Sequence, residues 1–251
     1  RKYENMFAKS AYPTACRNVS FRVIVTKPEG MYAAINRGFE EATGDICAWL
    51  NADDLYAPHA LETISRVFTI FPETQWVKGI TDTIDESGHL TRVGRIHAYH
   101  QSWITRGVYG RDAYYIEQDS VFWCAGLWRA VRPIPGHFRY AGDYWLWKEF
   151  AKHTPLLSIN EHISFFRKRA GQLSKSYRAY HKERNEIAPY TLSTFPIRLF
   201  FSLRARTIRL FPKMDMLFIR TYPLLFRGPT DMYTTPSDSA FVKKEMRSFI
   251  V

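Results

Sequence analysis

Residues 43–61 read "TGDICAWLNADDLYAPHAL". An uninterrupted apolar run, Ile46 to Leu50, ends in Asn51, Ala52, Asp53 and Asp54. A run of that kind suits a strand covered on both faces. Driving it into two adjacent carboxylates sets like charges side by side, so something near them has to compensate.

Upstream, "FRVIV" (21–25) predicts a short strand rich in β-branched residues. In "MYAAINRGFEEATG" (31–44), Tyr32, Ile35, Phe39 and Ala42 follow at spacings of 3, 4 and 3, which is one apolar helix face closed by Gly44. Downstream, Pro58 opens a second helix with Leu61, Ile64, Phe68 and Phe71 along one side, and Pro72 stops it. "QWVKGI" (75–80) predicts a strand and "IDESGHL" (84–90) a turn. Strand, helix, strand, helix, strand is the pattern of an α/β fold, a parallel sheet sandwiched by helices. Ligands collect at the carboxyl ends of such strands, and Asp53 and Asp54 fall just beyond one of those ends. Paired acids are tolerated there when a divalent cation or the hydroxyls of a ligand lie against them. A turn followed by a helix cap accounts for the same residues, and this stretch alone leaves both readings open.

In the second half, "GVYGRDAYY" (107–115) is polar, aromatic and glycine-punctuated, and predicts a loop or lid over a cleft. "QDSVFWCAGLW" (118–128) reads as core, with its start, Glu117 to Ser120, turned toward a substrate. Asp143 precedes the helical stretch "YWLWKEFAKH" (144–153). An acid in that place serves as a helix cap or, held among bulky aromatics, as a general base. "LLSI" and "ISFFRK" predict strands ending at Arg167, Lys168 and Arg169, which suit phosphate oxygens or a solvated surface equally.

With 251 residues and 46% hydrophobic content the chain can bury a substantial core. Three cysteines, Cys16, Cys47 and Cys124, fit no zinc-ligand spacing and imply a reducing compartment. The net charge of +11 is uneven, because residues 163–251 carry 17 Lys/Arg against 6 Asp/Glu and the first 162 residues are neutral. That neutrality, with no DNA or RNA motif, argues against nucleic-acid binding.

Four stretches in this order resemble the inverting, nucleotide-sugar-dependent glycosyltransferases of family 2: "EGMYAAINRGFEEATGDI", "AWLNADDLYAPHAL", "QDSVFW", and "AGDYWLWKEFAKH" with "ISFFRKRAGQLS". The likeness spans residues 29–174. It implies a GT-A fold, Rossmann-like, with a mostly parallel sheet and helices on both faces. It also implies a metal-assisted transfer with inversion from a nucleotide-diphosphate sugar, by family habit a UDP-sugar, to a glycan or lipid-linked acceptor. In that reading Asp54 ligates Mn²⁺ or Mg²⁺ and Asp53 serves the same ion or the ribose. Asp143 is the catalytic base. Asn36, Gly38, Asn51 and Gln118 contact the donor, while Arg167, Arg169, Gln172 and Ser174 cover the diphosphate. Two departures stand out. The family carries acids on either side of the glycine and tyrosine of "EGMY", where this chain has Pro28 or Glu29, and Ala33. The family's first two strands, which hold the nucleobase, have no counterpart before "RKYENMFAK" and are expected to be missing.

The layout expected is a catalytic domain over 1–178, a basic amphipathic helical extension over 179–230 and a flexible end over 231–251. In "PIRLFFSLRARTIRLFPKMDMLFIRTYPLLFRG" (196–228), Arg198, Arg206 and Arg209 face one side of a helix and Phe200, Leu203, Leu210 and Phe211 the other, with Arg204 spoiling the pattern. An interfacial helix on an anionic membrane fits this, as does a helix closing the domain. The first reading places a cytoplasmic enzyme of cell-surface polysaccharide synthesis on the inner face of a membrane. The alternative to an enzyme is a non-catalytic, membrane-associated scaffold keeping the fold without turnover. The enzyme reading expects Asp54 and Asp143 to look into one pocket.

Overall fold

The computed structural model describes residues 22–27, 29–97, 99–110, 114–172, 176–211, 232–237 and 240–245. Its elements run α1 (Met31–Glu40), β1 (Ile46–Cys47), β2 (Leu55–Tyr56), α2 (Ala60–Ile70), β3 (Trp76–Ile84), β4 (Leu90–Arg92) and α3 (Gln101–Thr105). A 3₁₀ turn (Gln118–Ser120) leads into β5 (Val121–Cys124), α4 (Ala125–Val131), α5 (Gly142–His153) and β6 (Leu157–Arg167). Then follow α6 (Tyr177–Ile187), α7 (Phe195–Leu210), β7 (Met232–Ser237) and β8 (Ala240–Glu245).

One sheet gathers the strands in the order β1-β5-β3-β6-β7-β8, with β2 on β6 and β4 on β3. All nine residues of β3 are buried. Alternation along the pleat sends neighbouring residues to opposite faces. Trp76 and Trp123 join the core that also holds Tyr32, Leu127, Leu146, Trp147 and Phe150. Val77 and Phe122 join the core under α2, with Ala60, Ile64, Val67 and Ile163. The sheet is therefore covered on both sides, as the α/β pattern requires. A ring cluster fills the first core: Trp147 stacks on Trp49 at 6.1 Å and on Trp76 at 5.9 Å.

Several expectations need correction. The sheet is mixed: β3–β6 and β6–β7 are parallel, whereas β5 runs antiparallel between β1 and β3, and β2, β4 and β8 also pair antiparallel. The apolar run of residues 46–50 is a strand only at Ile46–Cys47, because β5 pairs with those two residues alone. Residues 22–25 form no strand and Val23, Ile24 and Val25 are exposed; Phe21 lies outside the described residues. The inward face of α2 is Ala60, Ile64 and Val67 with Phe68 partly buried, while Leu61 faces solvent. Of the stretch 107–115 expected as a loop or lid, residues 107–110 are a turn whose Val108 and Tyr109 belong to the buried core, Tyr114 and Tyr115 are partly buried, and 111–113 lie outside the described residues.

The C-terminal part also differs from the expected layout. Ile197 and Phe201 of α7 enter the main core and Phe200 packs against it. Arg198 is 5% exposed, sits 4.2 Å over the Tyr190 ring and donates to the carbonyl of Gly107 at 3.2 Å. Tyr144 of α5 donates to the same carbonyl at 2.8 Å. Arg198 thus serves packing, not a membrane surface, and α6 and α7 close the domain. Residues 232–237 and 240–245, read as a flexible end, form the β7–β8 pair, whose Tyr233 and Thr234 pair with Ser158 and Ile159 of β6. Arg209 and Phe211 divide otherwise: the side chain of Arg209 lies outside the description, and Phe211 is exposed.

Gly79 sits at a register shift between β3 and β6, against Ile163. A Cβ there would stand 2.1 Å from Ile163 Cγ1 and 3.1 Å from the Glu161 carbonyl oxygen. Gly79→Ala is expected to lower stability by about 1–3 kcal/mol in denaturant unfolding. Ile163→Ala in the same chain should recover part of that loss, whereas strictly additive losses would place the strain elsewhere.

Candidate functional site

The turn Asn51–Asp54 closes through the Asp54 N–H on the Asn51 carbonyl at 3.1 Å, and β2 starts immediately afterwards. Because β2 pairs with Ser164 and Phe165, the turn is held against the carboxyl end of β6. The parallel register of β3 and β6 brings Ile84 opposite Arg167, so both strands finish at this edge. The turn alternative is correct as local structure. The helix-cap alternative is not, since α2 begins after His59 in a left-handed conformation with no side-chain cap.

Asp54 is buried, 4% exposed, and its two oxygens are occupied separately. Oδ1 accepts the Arg167 backbone N–H at 2.8 Å and Oδ2 accepts Asn51 Nδ2 at 3.0 Å. Burial pushes its carboxyl above the ordinary range, opposed by those hydrogen bonds and reinforced by the charge of Asp53. Asp53 is the more exposed of the two. Burial is the largest single influence and raises its carboxyl, but the hydrogen bond and charge of Arg169, with bonds from its own amide and Gln172, together outweigh it and the net direction is down. The repulsion between the adjacent acids is thus relieved by giving one a cation and the other a backbone amide.

Three further side chains converge on the same turn. Arg167 Nε donates to the Asp53 carbonyl at 2.9 Å, and its Nη1 reaches the Asp85 and Glu86 carbonyls at 3.0 and 3.1 Å. Gln172 Nε2 donates to the Arg167 carbonyl and approaches Asp53 Oδ2 at 3.5 Å. Gln118 accepts from Asn51 Nδ2 at 3.1 Å and donates to the Trp49 carbonyl at 2.5 Å. Asn51, Asp53, Asp54, Gln118, Arg167, Arg169 and Gln172, scattered over more than a hundred residues, therefore form one hydrogen-bonded constellation. Ser174 lies outside the described residues.

Asn36 and Gly38 do not join it. Asn36 clamps the backbone of Ile134, donating to its carbonyl at 2.8 Å and accepting its N–H at 3.0 Å. Gly38 is exposed, with nothing within 4 Å of where a Cβ would be. Asp143 lies in the first turn of α5, partly buried, its Oδ1 taking the Tyr144 N–H at 2.7 Å. Burial pushes its carboxyl up to about 6, the amide hydrogen bond opposes this and the charge of Glu183 adds to it. It lines a cavity of about 20 Å³ with Ile104, Tyr109, Tyr115, Tyr144 and Tyr180, room for one water. Asp54 is not on that cavity. The expectation that the two acids share one pocket is therefore not met; residues 115–119 run between them, with Tyr115 and Ile116 lining the cavity and Gln118 joining the turn.

Sequence reading missed Asp119. It is 4% exposed, accepts a hydrogen bond from Ser164, and lies beside a hydroxyl chain in which Thr81 bonds Ser120 at 2.9 Å and Ser164 at 3.1 Å. The alternation of small hydroxyl residues on β3 and β6 was the available signal. Burial pushes its carboxyl up to about 6, the Ser164 hydrogen bond opposes this and the charge of Asp54 adds to it. Among the described residues no group of three or more His, Cys, Asp or Glu is arranged to hold a metal ion.

Residues 8–132, close to half of the chain, match the family described as glycosyl transferase family 2, and through them the chain belongs to it. An uncharacterized glycosyltransferase of Nostoc sp. is 40% identical over 57 residues, 23% of this chain and 16% of its own length. The O-antigen biosynthesis protein RfbC of Myxococcus xanthus is 35% identical over 74 residues, 29% of this chain and 6% of its own. The chain thus spans a small part of the curated relatives it matches. In three dimensions it resembles S. aureus TarS 1-349, crystallised in complex with UDP-GlcNAc, with a TM-score of 0.55 and 11% identity, covering 88% of this chain and 67% of that one. That likeness shows the GT-A glycosyltransferase fold.

Asp119 gains a proton more readily in the folded chain than in the unfolded one, where its value is the ordinary 3.8. Its contribution to stability is therefore lost as pH rises from about 4 to about 6. Asp119→Asn is expected to flatten that stretch of the stability–pH curve, with the gap to the parent chain widening up to pH 6 and constant above. A parallel pair of curves from calorimetry at successive pH values would refute the assignment.

Proposed function

We propose that this chain transfers a sugar from a nucleotide-diphosphate sugar, with UDP as the nucleotide, to a glycan or lipid-linked acceptor. The observation that carries the reading is the constellation at the carboxyl ends of β3 and β6. It combines a buried carboxylate, a second carboxylate facing outward and two arginines and a glutamine around one turn. A diphosphate presents several anionic oxygens, which guanidinium groups and side-chain amides bind directly. The UDP-GlcNAc named for the TarS crystal supports the choice of donor class.

Two adjacent carboxylates without a third protein ligand suit a hard cation that takes its remaining oxygens from substrate and water. Asp54 and Asp53 would hold Mn²⁺ or Mg²⁺, with Asp53 exchanging Arg169 for the ion. When bound, such an ion neutralises the charge that grows on the departing diphosphate. Arg169, freed from Asp53, would add to that neutralisation. Across the 115–119 segment from that turn, Asp143 accepts the proton of the attacking acceptor hydroxyl, which approaches opposite the departing group and so inverts the anomeric centre. The aromatic side chains that line the small cavity beside it limit the water that reaches that exchange.

The outer face of α7 supports an acceptor at a membrane surface. Phe195, Leu199, Leu203 and Leu210 recur at spacings of 4, 4 and 7, are all exposed, and flank exposed Arg206. An apolar stripe among cations fits the headgroup boundary of anionic lipids, and it differs from the arginine face expected from sequence. No helix among the described residues is long and apolar enough to cross a membrane.

Melting curves with UDP-GlcNAc and Mn²⁺ should rise above those with either alone, and Asp54→Ala should abolish the Mn²⁺-dependent part. Asp143→Asn should retain the full shift while UDP release falls by about 10²–10⁴-fold. A base held at about 6 works when ionised, so turnover of the parent chain should climb through that pH and level off above it. No melting shift with any nucleotide sugar, in a chain that is demonstrably folded, would remove the enzyme reading. Leu199→Gln with Leu203→Gln is expected to weaken flotation with phosphatidylglycerol vesicles, and undiminished flotation would remove the membrane reading.

A further inference from the structure

α5 begins awkwardly. Ala141 occupies its cap position and has no side chain able to accept a backbone N–H. Glu183, one turn from the end of α6, supplies the missing acceptors. Its Oε1 takes the N–H of Arg139 at 2.9 Å, and its Oε2 takes those of Tyr140 and Ala141, both at 2.8 Å. One carboxylate therefore collects three consecutive amides in the segment that delivers Asp143. A second group holds the same segment from the opposite side: the Tyr32 hydroxyl donates to the Tyr140 carbonyl at 3.2 Å and lies 3.4 Å from the Asp143 N–H. Gly142 makes room for that ring, since a Cβ there would stand 2.6 Å from it.

We propose that Glu183 is a positioning residue for Asp143: it pins the three residues that lead into α5 and sets the electrostatic field in which Asp143 takes and releases its proton. The inference rests on the assignment of Asp143 as the base but concerns a different residue on a different helix. The N–H groups and the helix dipole at the start of α5 attract a carboxylate placed against them. Asp143 faces Tyr32 of α1, Tyr115 of the segment before the 3₁₀ turn, and Tyr180 and Glu183 of α6. Burial raises all three tyrosines above their ordinary value, so they are neutral where Asp143 titrates. Glu183 is the one acid in that set. It acts after burial, which is the larger influence on Asp143, and in the same direction. A carboxylate poised near neutrality is a better proton acceptor than one ionised throughout, because it shares the proton more evenly with the acceptor hydroxyl.

The test is a direct titration of Asp143 in the whole chain by carbon-13 NMR of labelled aspartate carboxyls, its resonance identified by loss in Asp143→Asn. Glu183→Gln keeps the shape and one acceptor oxygen but removes the charge. The Asp143 midpoint should fall by on the order of half a unit, the effect of one like charge a few ångströms away in a screened site. Glu183→Asp keeps the charge on a shorter stem, so the midpoint should stay high while the amides of residues 139–141 exchange faster. The Asp variant also keeps the test open if the Gln variant fails to fold. A midpoint unchanged in Glu183→Gln, or lowered as far in Glu183→Asp as in Glu183→Gln, overturns the inference. UDP release from UDP-GlcNAc separates it from the reading beneath: if Asp143→Asn turns over normally, Asp143 is not the base, whatever the titration gives.

Discussion

The hydrogen bond from the Arg167 amide to buried Asp54 is the constraint on which the rest of the site depends. β6 could end anywhere along its edge, but a carboxylate with almost no access to water needs a donor, and the terminal amide of that strand is the one it uses. Burying an acid without such a partner is costly. Once the bond forms, Arg167 is fixed, and its side chain spans from the Asp53 carbonyl to the turn after β3. Arg169 and Gln172 then have only a short distance to travel to Asp53. The cleft is built by satisfying one awkward group, and the chemistry assigned to it uses residues recruited for that purpose.

Legibility varied with the length of the interaction involved. The strand at β3, the helices before and after the acidic turn, and the turn itself could be read because they rest on nearest neighbours and on periodicities of 2 and 3.6. The antiparallel entry of β5 between β1 and β3 could not, because strand direction depends on a connection that no local pattern encodes. The apolar face of α2 was read a fraction of a turn out of phase, since Leu61 and Val67 are both aliphatic and packing decided between them. In the site, residues flanking the acidic turn or ending β6 were recognisable from their chemistry. Asp119 was not, because "QDS" resembles any polar turn until Ser164 is brought against it by the parallel register. Asn36 misled for the opposite reason: an amide side chain suits a ligand or a backbone clamp, and here Ile134 has it.

The tail shows how composition can point correctly to a surface and wrongly to a face. The excess of cations belongs to the last third of the chain, yet Arg198 is buried. Its long stem and planar head suit it to bridge Tyr190, Thr194 and the Gly107 carbonyl where a shorter cation would leave a void. The solvent side of the same helix is left to Phe195 and leucines.

That single carbonyl of Gly107, receiving the Tyr144 hydroxyl and the Arg198 guanidinium together, links α5 to α7 as a pin links two levers. A tilt of α7, from whatever grips its outer side, either stretches one of the two bonds or carries the start of α5 along with it. Because a Cβ on Gly107 would stand 2.0 Å from the Tyr144 oxygen, the pin has no slack. Events at the periphery of the molecule are thereby felt, mechanically, by the helix that bears Asp143.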